Sequence, residues 1–349
     1  MSFEGLKEER TSSHPFERGL TPGRFMVLVG PSVLFLLAIL LLTPWVGSAD
    51  VTWQRVLEGA SPDREIFVVA RLPRILFGAL AGGSLAVAGV LFQAILRNAL
   101  ATPFTLGVSS GSSFGAVLAI WLGLDIVVLG VPMVSVAAFL GALLTILLVF
   151  MIARTRRALP TFTLLLAGVT LNFVFAALIL FIHYASTFTE TFLMVRWMMG
   201  GVNDVSYPLI LKTAPPIAIA ILWLVWQAPA FNLLAAGEDW ATTRGVNVGR
   251  LRKAGFIVAS LLTGLITAVT GPIGFVGLIV PHALRLMGAA DHRVLIPAAF
   301  FGGAGFLVLC DTAARTVMAP TELPVGVVTA LLGGPFFILL LKRRSGDLF

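Results

Sequence analysis

The chain has 349 residues, 58% of them hydrophobic and 12% charged, a balance that excludes an ordinary soluble globular protein and points to a polytopic membrane protein embedded in a lipid bilayer. The formal charge of +7 is not a sign of nucleic-acid binding, because Lys and Arg in such chains gather in cytoplasmic loops. A single cysteine, Cys310, excludes an internal disulfide and any multi-cysteine metal site.

In chain order, residues 1–24 contain Glu4, Lys7, Glu8, Glu9, Arg10, Glu17, Arg18 and Arg24 and are too polar for a signal peptide. They read as a cytoplasmic tail ahead of an uncleaved first span at 25–45. Uncharged stretches predict further spans at 75–96, 104–124, 126–153, 158–183, 207–228, 254–270, 273–290, 294–310 and 323–341. Together they form a membrane domain over 25–342, with a short cytoplasmic tail at 343–349. Ala254 to Leu284 carries no charge, and as one helix it would be about 46 Å long. A hydrocarbon core is roughly 30 Å thick, so a break is expected at Gly271-Pro272. Both termini are basic (Arg18 and Arg24; Lys342, Arg343 and Arg344), which places both in the cytoplasm and requires an even number of spans. The expected fold is therefore all-α, with ten transmembrane helices.

This orientation leaves seven of the 24 Lys and Arg residues outside: Arg55, Arg64, Arg71, Arg74, Arg196, Lys212 and Arg315. They are the exceptions to the charge rule and need a reason. Small residues at Gly78/Gly82 and Gly107/Gly111/Gly115 have the spacing of close helix contacts in lipid. Asp125, Asp204, Asp311 and Glu322 fall at or near span ends, so the spans lack the membrane-depth acids that ion-coupled transporters use. Neither HExxH nor GxxxxGK[ST] occurs, so a metalloenzyme of that type and a resident P-loop are both disfavoured. If the protein pumps, its energy source is another chain.

One charged segment between apolar spans suits such a partner. Gly237 to Lys253, GEDWATTRGVNVGRLRK, is expected to form two short helices broken near Gly245. Asp239 lies near the first N-terminus and Arg250 and Arg252 late in the second, an order that suits helix dipoles. A solvated loop and a docking element both remain open on these residues alone.

Six ordered motifs carry a family resemblance. They are RLPR at 71–74, AGVLFQAILRNALATPFTLGVSSG at 88–111, LLLAGVTLN at 164–172, WMMGG at 197–201, GPIGFVGLIVPHALRLMGAADHRVLIP at 271–297 and APTELPVGVVTALLGGPFF at 319–337. Over about residues 53–342 the chain resembles the FecCD-type permeases, membrane subunits of type II ABC importers for ferric siderophores, haem and cobalamin. The resemblance implies a homodimer in the bacterial inner (cytoplasmic) membrane, two cytoplasmic ATPase subunits and one periplasmic binding protein. It implies no enzyme activity and no cofactor on this chain; ATP and Mg are used by the ATPase.

Residue by residue, the resemblance assigns coupling to 237–252, with Gly237, Glu238, Asp239, Arg244, Gly245 and Arg250. It assigns binding-protein docking to Arg71, Arg74 and Arg315, which would explain the outer positive charge. Asp311 and Arg315 are four apart, so a plain helical ion pair is the competing reading. The inner gate maps to Asn98, Leu100, Thr161 and Phe162. Here the family's NPLA motif reads NALA, with Ala99, and Phe162 replaces a small polar residue. Gln93 either lines the pathway or satisfies a buried hydrogen bond. His183 and Tyr184 are the candidate haem contacts, and iron-siderophore is the default cargo. A gradient-driven secondary transporter is the alternative, and a non-transporting scaffold or enzyme comes behind it.

Overall fold

The computed structural model describes residues 21–47, 49, 51–128, 130–153, 161–203 and 205–346. The expected N-terminal tail to residue 20, Asp204, Arg154, Arg156 and Arg157 before the fifth span, and residues 347–349 lie outside them.

The described chain is a helical bundle: α1 (Pro22–Leu42), α2 (Trp53–Glu58), α3 (Asp63–Glu65), α4 (Leu72–Leu96), α5 (Val108–Trp121), α6 (Met133–Ala153), α7 (Thr161–Ala185), α8 (Phe188–Met198), α9 (Tyr207–Ala236), α10 (Glu238–Thr243), α11 (Val248–Thr270), α12 (Val276–Leu286), α13 (His292–Thr316) and α14 (Val325–Gly346). A small antiparallel hairpin, β1 (Val127–Val128) and β2 (Val131–Pro132), precedes α6. Each of the ten expected spans contains a helix. Among the described residues seven helical segments are long and apolar enough to cross a membrane. Three are shorter: α5 with 14 residues, α12 with 11 and the apolar part of α14 over Val325–Leu340. At 1.5 Å per residue α12 is roughly 16 Å long, about half a hydrocarbon core. Length and apolarity thus give seven candidate spans among the described residues and leave the count of ten to the family reading.

The core sits around α4. Every residue from Ala81 to Leu96 is buried, enclosed by α9, α11, α12 and α13. Glycines permit this closeness. A Cβ at Gly82 would collide with the Gly303 backbone of α13, and one at Gly89 with the Gly277 backbone of α12. Likewise Gly111 and Gly115 press on α6, whereas Gly78 has room, with Val308 3.5 Å from a notional Cβ. Gly107 has a different role: it caps α5 at φ +80°, a backbone region that disfavours side chains. Several buried threonine hydroxyls bond their own helices, as Thr145 Oγ1 does to Gly141 O at 2.9 Å and Thr312 Oγ1 to Val308 O at 2.8 Å. That satisfies them where water is absent.

Two boundaries differ from expectation. The second span does not begin at Ile75: helix runs on from Asp63 through a π-helical stretch, Ile66–Arg71, into α4. Pro73 lacks an N–H and crowds the carbonyl four residues back. The wider π turn accommodates it, and Tyr207 Oη donates to Val68 O at 2.7 Å within that stretch. The second half of the charged segment is not a separate short helix, because α11 continues unbroken from Val248 to Thr270. The expected break at Gly271-Pro272 is present, with Gly271 at φ +67°.

Candidate functional site

Helix α4 links the two ends of the bundle that carry candidate function. Its N-terminal end bears the RLPR arginines and its C-terminal end meets the tail of α9, which leads into the charged segment.

At the first end the three arginines occupy different settings. Arg71 is buried and donates to Pro44 O at 2.7 Å and to Ala49 O, so it clasps the chain that follows α1. Arg74 reaches across to α13, where its Nε lies 3.0 and 3.1 Å from the two Asp311 oxygens and an Nη 2.9 Å from one of them. Its other Nη bonds Glu322 Oε2 at 2.8 Å. Arg315 is buried and pairs with Asp311 at 3.2 Å, the expected four-residue helical pair. Asp311 is thus a buried carboxylate serving two guanidiniums. Of the three arginines, Arg74 lines the adjoining cavity of about 840 Å3, beside Glu322, Arg196, Asn203 and the Gly200-Gly201 turn. The WMMGG motif meets two other segments here: Gly201 N donates at 2.7 Å to the O of Thr270, the residue before the GPIG motif, and Gly326 N to Gly200 O at 3.3 Å.

At the opposite end α10 and the start of α11 fold back on each other around Gly245, whose φ of +82° suits glycine. Glu238 and Asp239 occupy the first turn of α10. Glu238 Oε1 accepts from Arg252 at 2.5 Å, locking the two helices together. Asn247 Oδ1 caps α11 by accepting from Arg250 N at 3.0 Å. The outward surface carries exposed Arg244 and Arg250 and half-exposed Trp240, with the Arg244 guanidinium 5.0 Å from the Trp240 ring centroid. Sequence reasoning placed Arg252 late in the second helix but gave Trp240 no role; an indole stranded among charges in GEDWATTRG was the available signal.

Next to this end lies the candidate gate. Arg97 ends α4 in the left-handed region, φ +47°, and Asn98 N donates back to Gln93 O at 3.2 Å, a Schellman-type stop made without glycine. Asn98 Oδ1 then accepts from Leu100 N at 2.9 Å, while Leu100 and Phe162 stand exposed and Thr161 opens α7. Among the described residues no hydrogen bond joins Asn98 or Leu100 to Thr161 or Phe162. The loop is tied to α7 further along: Asn172 Nδ2 donates to Phe104 O at 2.8 Å and its Oδ1 accepts from Ser110 Oγ at 2.6 Å. Asn172 closes the LLLAGVTLN motif, yet its role was illegible without the fold. Gln93 is buried, donates to Gly277 O at 3.2 Å, accepts from Arg285 and lines a cavity of about 550 Å3, so its hydrogen bonds fit the second of its two readings.

His183 is half-buried near the end of α7 and Tyr184 is almost fully exposed. Adjacent helical residues do not face each other, so within one chain the two form no joint site. Among the described residues no group of three or more His, Cys, Asp or Glu side chains is placed to hold a metal ion.

Comparison with known proteins agrees with this architecture. The chain is 40% identical to the uncharacterized ABC transporter permease YvrB of Bacillus subtilis (strain 168), over 80% of this chain and 79% of that one. It is equally similar, at 40%, to the cobalamin import system permease BtuC of Halobacterium salinarum, covering 86% and 80%. The vitamin B12 import system permease BtuC of Escherichia coli O8 (strain IAI1) is 40% identical over 90% of this chain and 94% of its own. A solved structure, an inward-facing conformation of a proposed metal-chelate type ABC transporter, superposes with a TM-score of 0.80 at 30% identity, covering 91% of this chain and 99% of that one. The model of the FecCD transport family matches residues 33–343, nearly the whole helical bundle, and the chain belongs to that family.

Proposed function

We propose that the chain is the permease subunit of an ATP-driven importer, working as a homodimer in the bacterial cytoplasmic membrane with ten spans and both termini inside. The observation that carries this reading is family likeness over residues 33–343, joined to a bundle with a paired-helix charged element at one end. The absence of HExxH and P-loop motifs is consistent with a subunit whose ATP and Mg are handled by a partner.

In this reading a loaded binding protein docks at the Arg74 end. Arg74 presents the charge, while Arg71 and Arg315 hold the surface from behind. Rim charges of this kind steer and orient a partner more than they add affinity. Cargo passes along the homodimer interface, and residues 237–252 seat in the ATPase, with Trp240 and Arg244 as anchors. Movement there reaches the loop 98–107 through α4 and is shared with α7 by Asn172. Asn98, Leu100, Thr161 and Phe162 close the inner end, and the Phe162 ring narrows and dries it. The cargo is a bulky metal chelate. Cobalamin comes first, because named relatives import it, with ferric siderophore and haem as the other members of the class.

Reconstitution tests the reading. In proteoliposomes holding the permease, its ATPase and its binding protein, cobalamin or chelate uptake should require ATP and persist when proton and sodium gradients are collapsed. Uptake that follows a gradient without the ATPase would restore the secondary-transporter reading.

A further inference from the structure

The 550 Å3 cavity beside the charged segment has a basic wall. Gln93, Arg97, Asn98, His282, Arg285 and His292 line it, and no aspartate or glutamate is among its lining residues. Arg285 is partly buried; among the described residues Gln93 is its hydrogen-bond partner and no ion pair reaches it. A guanidinium has five N–H donors, so most of its capacity is unspent. The nearest acid in sequence, Asp291, is committed to Arg293 at 2.6 Å and to Asn232 at 2.6 Å. His292 is buried; its Nδ1 meets Asn232 Oδ1 at 2.8 Å and its Nε2 has no hydrogen-bond partner. Because Asn232 Oδ1 is an acceptor, Nδ1 carries the proton, and the imidazole is an enclosed part of the wall.

A poorly compensated cation in a low-dielectric wall is costly. Two guanidiniums facing a concave space match the oxygens of a phosphate, and a cavity of this size fits a small ligand. We propose that this cavity binds a phosphate anion, with Arg285 and Arg97 as its charged donors. The phosphate belongs either to the headgroup of an anionic lipid or to free inorganic phosphate. Exposed Leu286 at the rim offers an apolar surface to an acyl chain, and basic pockets between helices on the cytoplasmic side suit anionic headgroups. Assignment to the inner leaflet rests on the orientation proposed above; binding itself does not.

Two measurements on the purified full-length permease test this. Native mass spectrometry compares retention of phosphatidylglycerol with phosphatidylcholine. Thermal unfolding compares inorganic phosphate with chloride at matched ionic strength. The expected result is preference for the anion in at least one arm; the first identifies a lipid headgroup and the second a free phosphate. Arg285→Gln should reduce that preference about tenfold. Arg97→Gln, at an exposed helix end where folding is not at stake, should reduce it by roughly threefold. Absence of preference in both arms, or preference unchanged in the variants, overturns the proposal. So does a chain that binds neither probe but is stabilised by its ATPase in an Arg285-dependent manner, which would put a partner's carboxylate in the cavity.

Discussion

Asp311 is a buried carboxylate that holds Arg315 on its own helix and Arg74 from α4. Replacing it by Asn would leave two guanidiniums in a largely buried setting without their shared counter-charge, a loss of about 3–5 kcal/mol by analogy with broken buried pairs. The expected result is a clear drop in the detergent melting temperature together with weaker binding-protein affinity. Arg74→Gln should separate the two effects, lowering affinity roughly tenfold with a smaller change in melting. Arg71→Gln should do the reverse, loosening the segment around Pro44 and Ala49 to hydrogen exchange while affinity holds. Equal affinity losses in both variants would contradict this division of roles. At the glycine contacts, Gly89→Val meets the Gly277 backbone and should abolish monodisperse protein, whereas Gly78→Ala should be tolerated within about 1 kcal/mol. Expression and size-exclusion profiles decide it. Some of this was legible beforehand: the four-residue spacing of Asp311 and Arg315 announced their pair. The Arg74–Asp311 bond spans 237 residues and depends on how α4 packs on α13, which no local pattern encodes.

In the proposed mechanism, the element that converts partner movement into gate movement is the α10–α11 pair. Glu238→Gln removes the carboxylate that binds Arg252 across the pair, and should cut ATPase-coupled uptake more than it cuts ATPase binding. Uptake and pull-down measured on one preparation would show the split; a parallel fall in both would make the contact a simple docking residue. Asp291 offers a pH probe at the same end, outside the spans. Burial favours its protonated form, but hydrogen bonds from Arg293 and Asn232 outweigh burial and hold its carboxyl below the ordinary value. A depressed folded pKa contributes stability above the unfolded value and loses it as pH falls through the folded one. The melting temperature should therefore fall in acid, below about pH 4, and Asp291→Asn should flatten that part of the profile. Helix limits at this scale were partly readable. The Gly271-Pro272 break followed from length and charge together, since an uncharged stretch of roughly 46 Å overruns the bilayer and two basic termini call for an even number of spans. The π turn before α4 did not, because RLPR reads as a polar edge until Pro73 is seen inside a continuing helix.

For the whole molecule, the helical bundle, the order of its apolar segments and the family were legible in composition and motif order. The number of complete crossings was not, because α5, α12 and α14 have apolar parts shorter than a bilayer and lean on their neighbours. Nor was the meeting of WMMGG, GPIG and the start of α14, which tertiary packing alone creates. Large apolar side chains remain exposed on α7 and α14, among them Phe173, Phe181, Leu331 and Ile338, a surface for lipid or for a second copy. The central claim is that this permease acts inside an ATP-driven importer. Its most direct test is affinity purification of the tagged chain from its native membrane under conditions that keep dimers, with mass spectrometry and an absorption spectrum of what accompanies it. The account predicts a stoichiometric ATPase subunit, a binding protein recovered when cargo is present, and a corrinoid, Soret or ferric-catecholate band. A clean permease dimer with no ATPase, still able to accumulate cargo down an ion gradient, would contradict it.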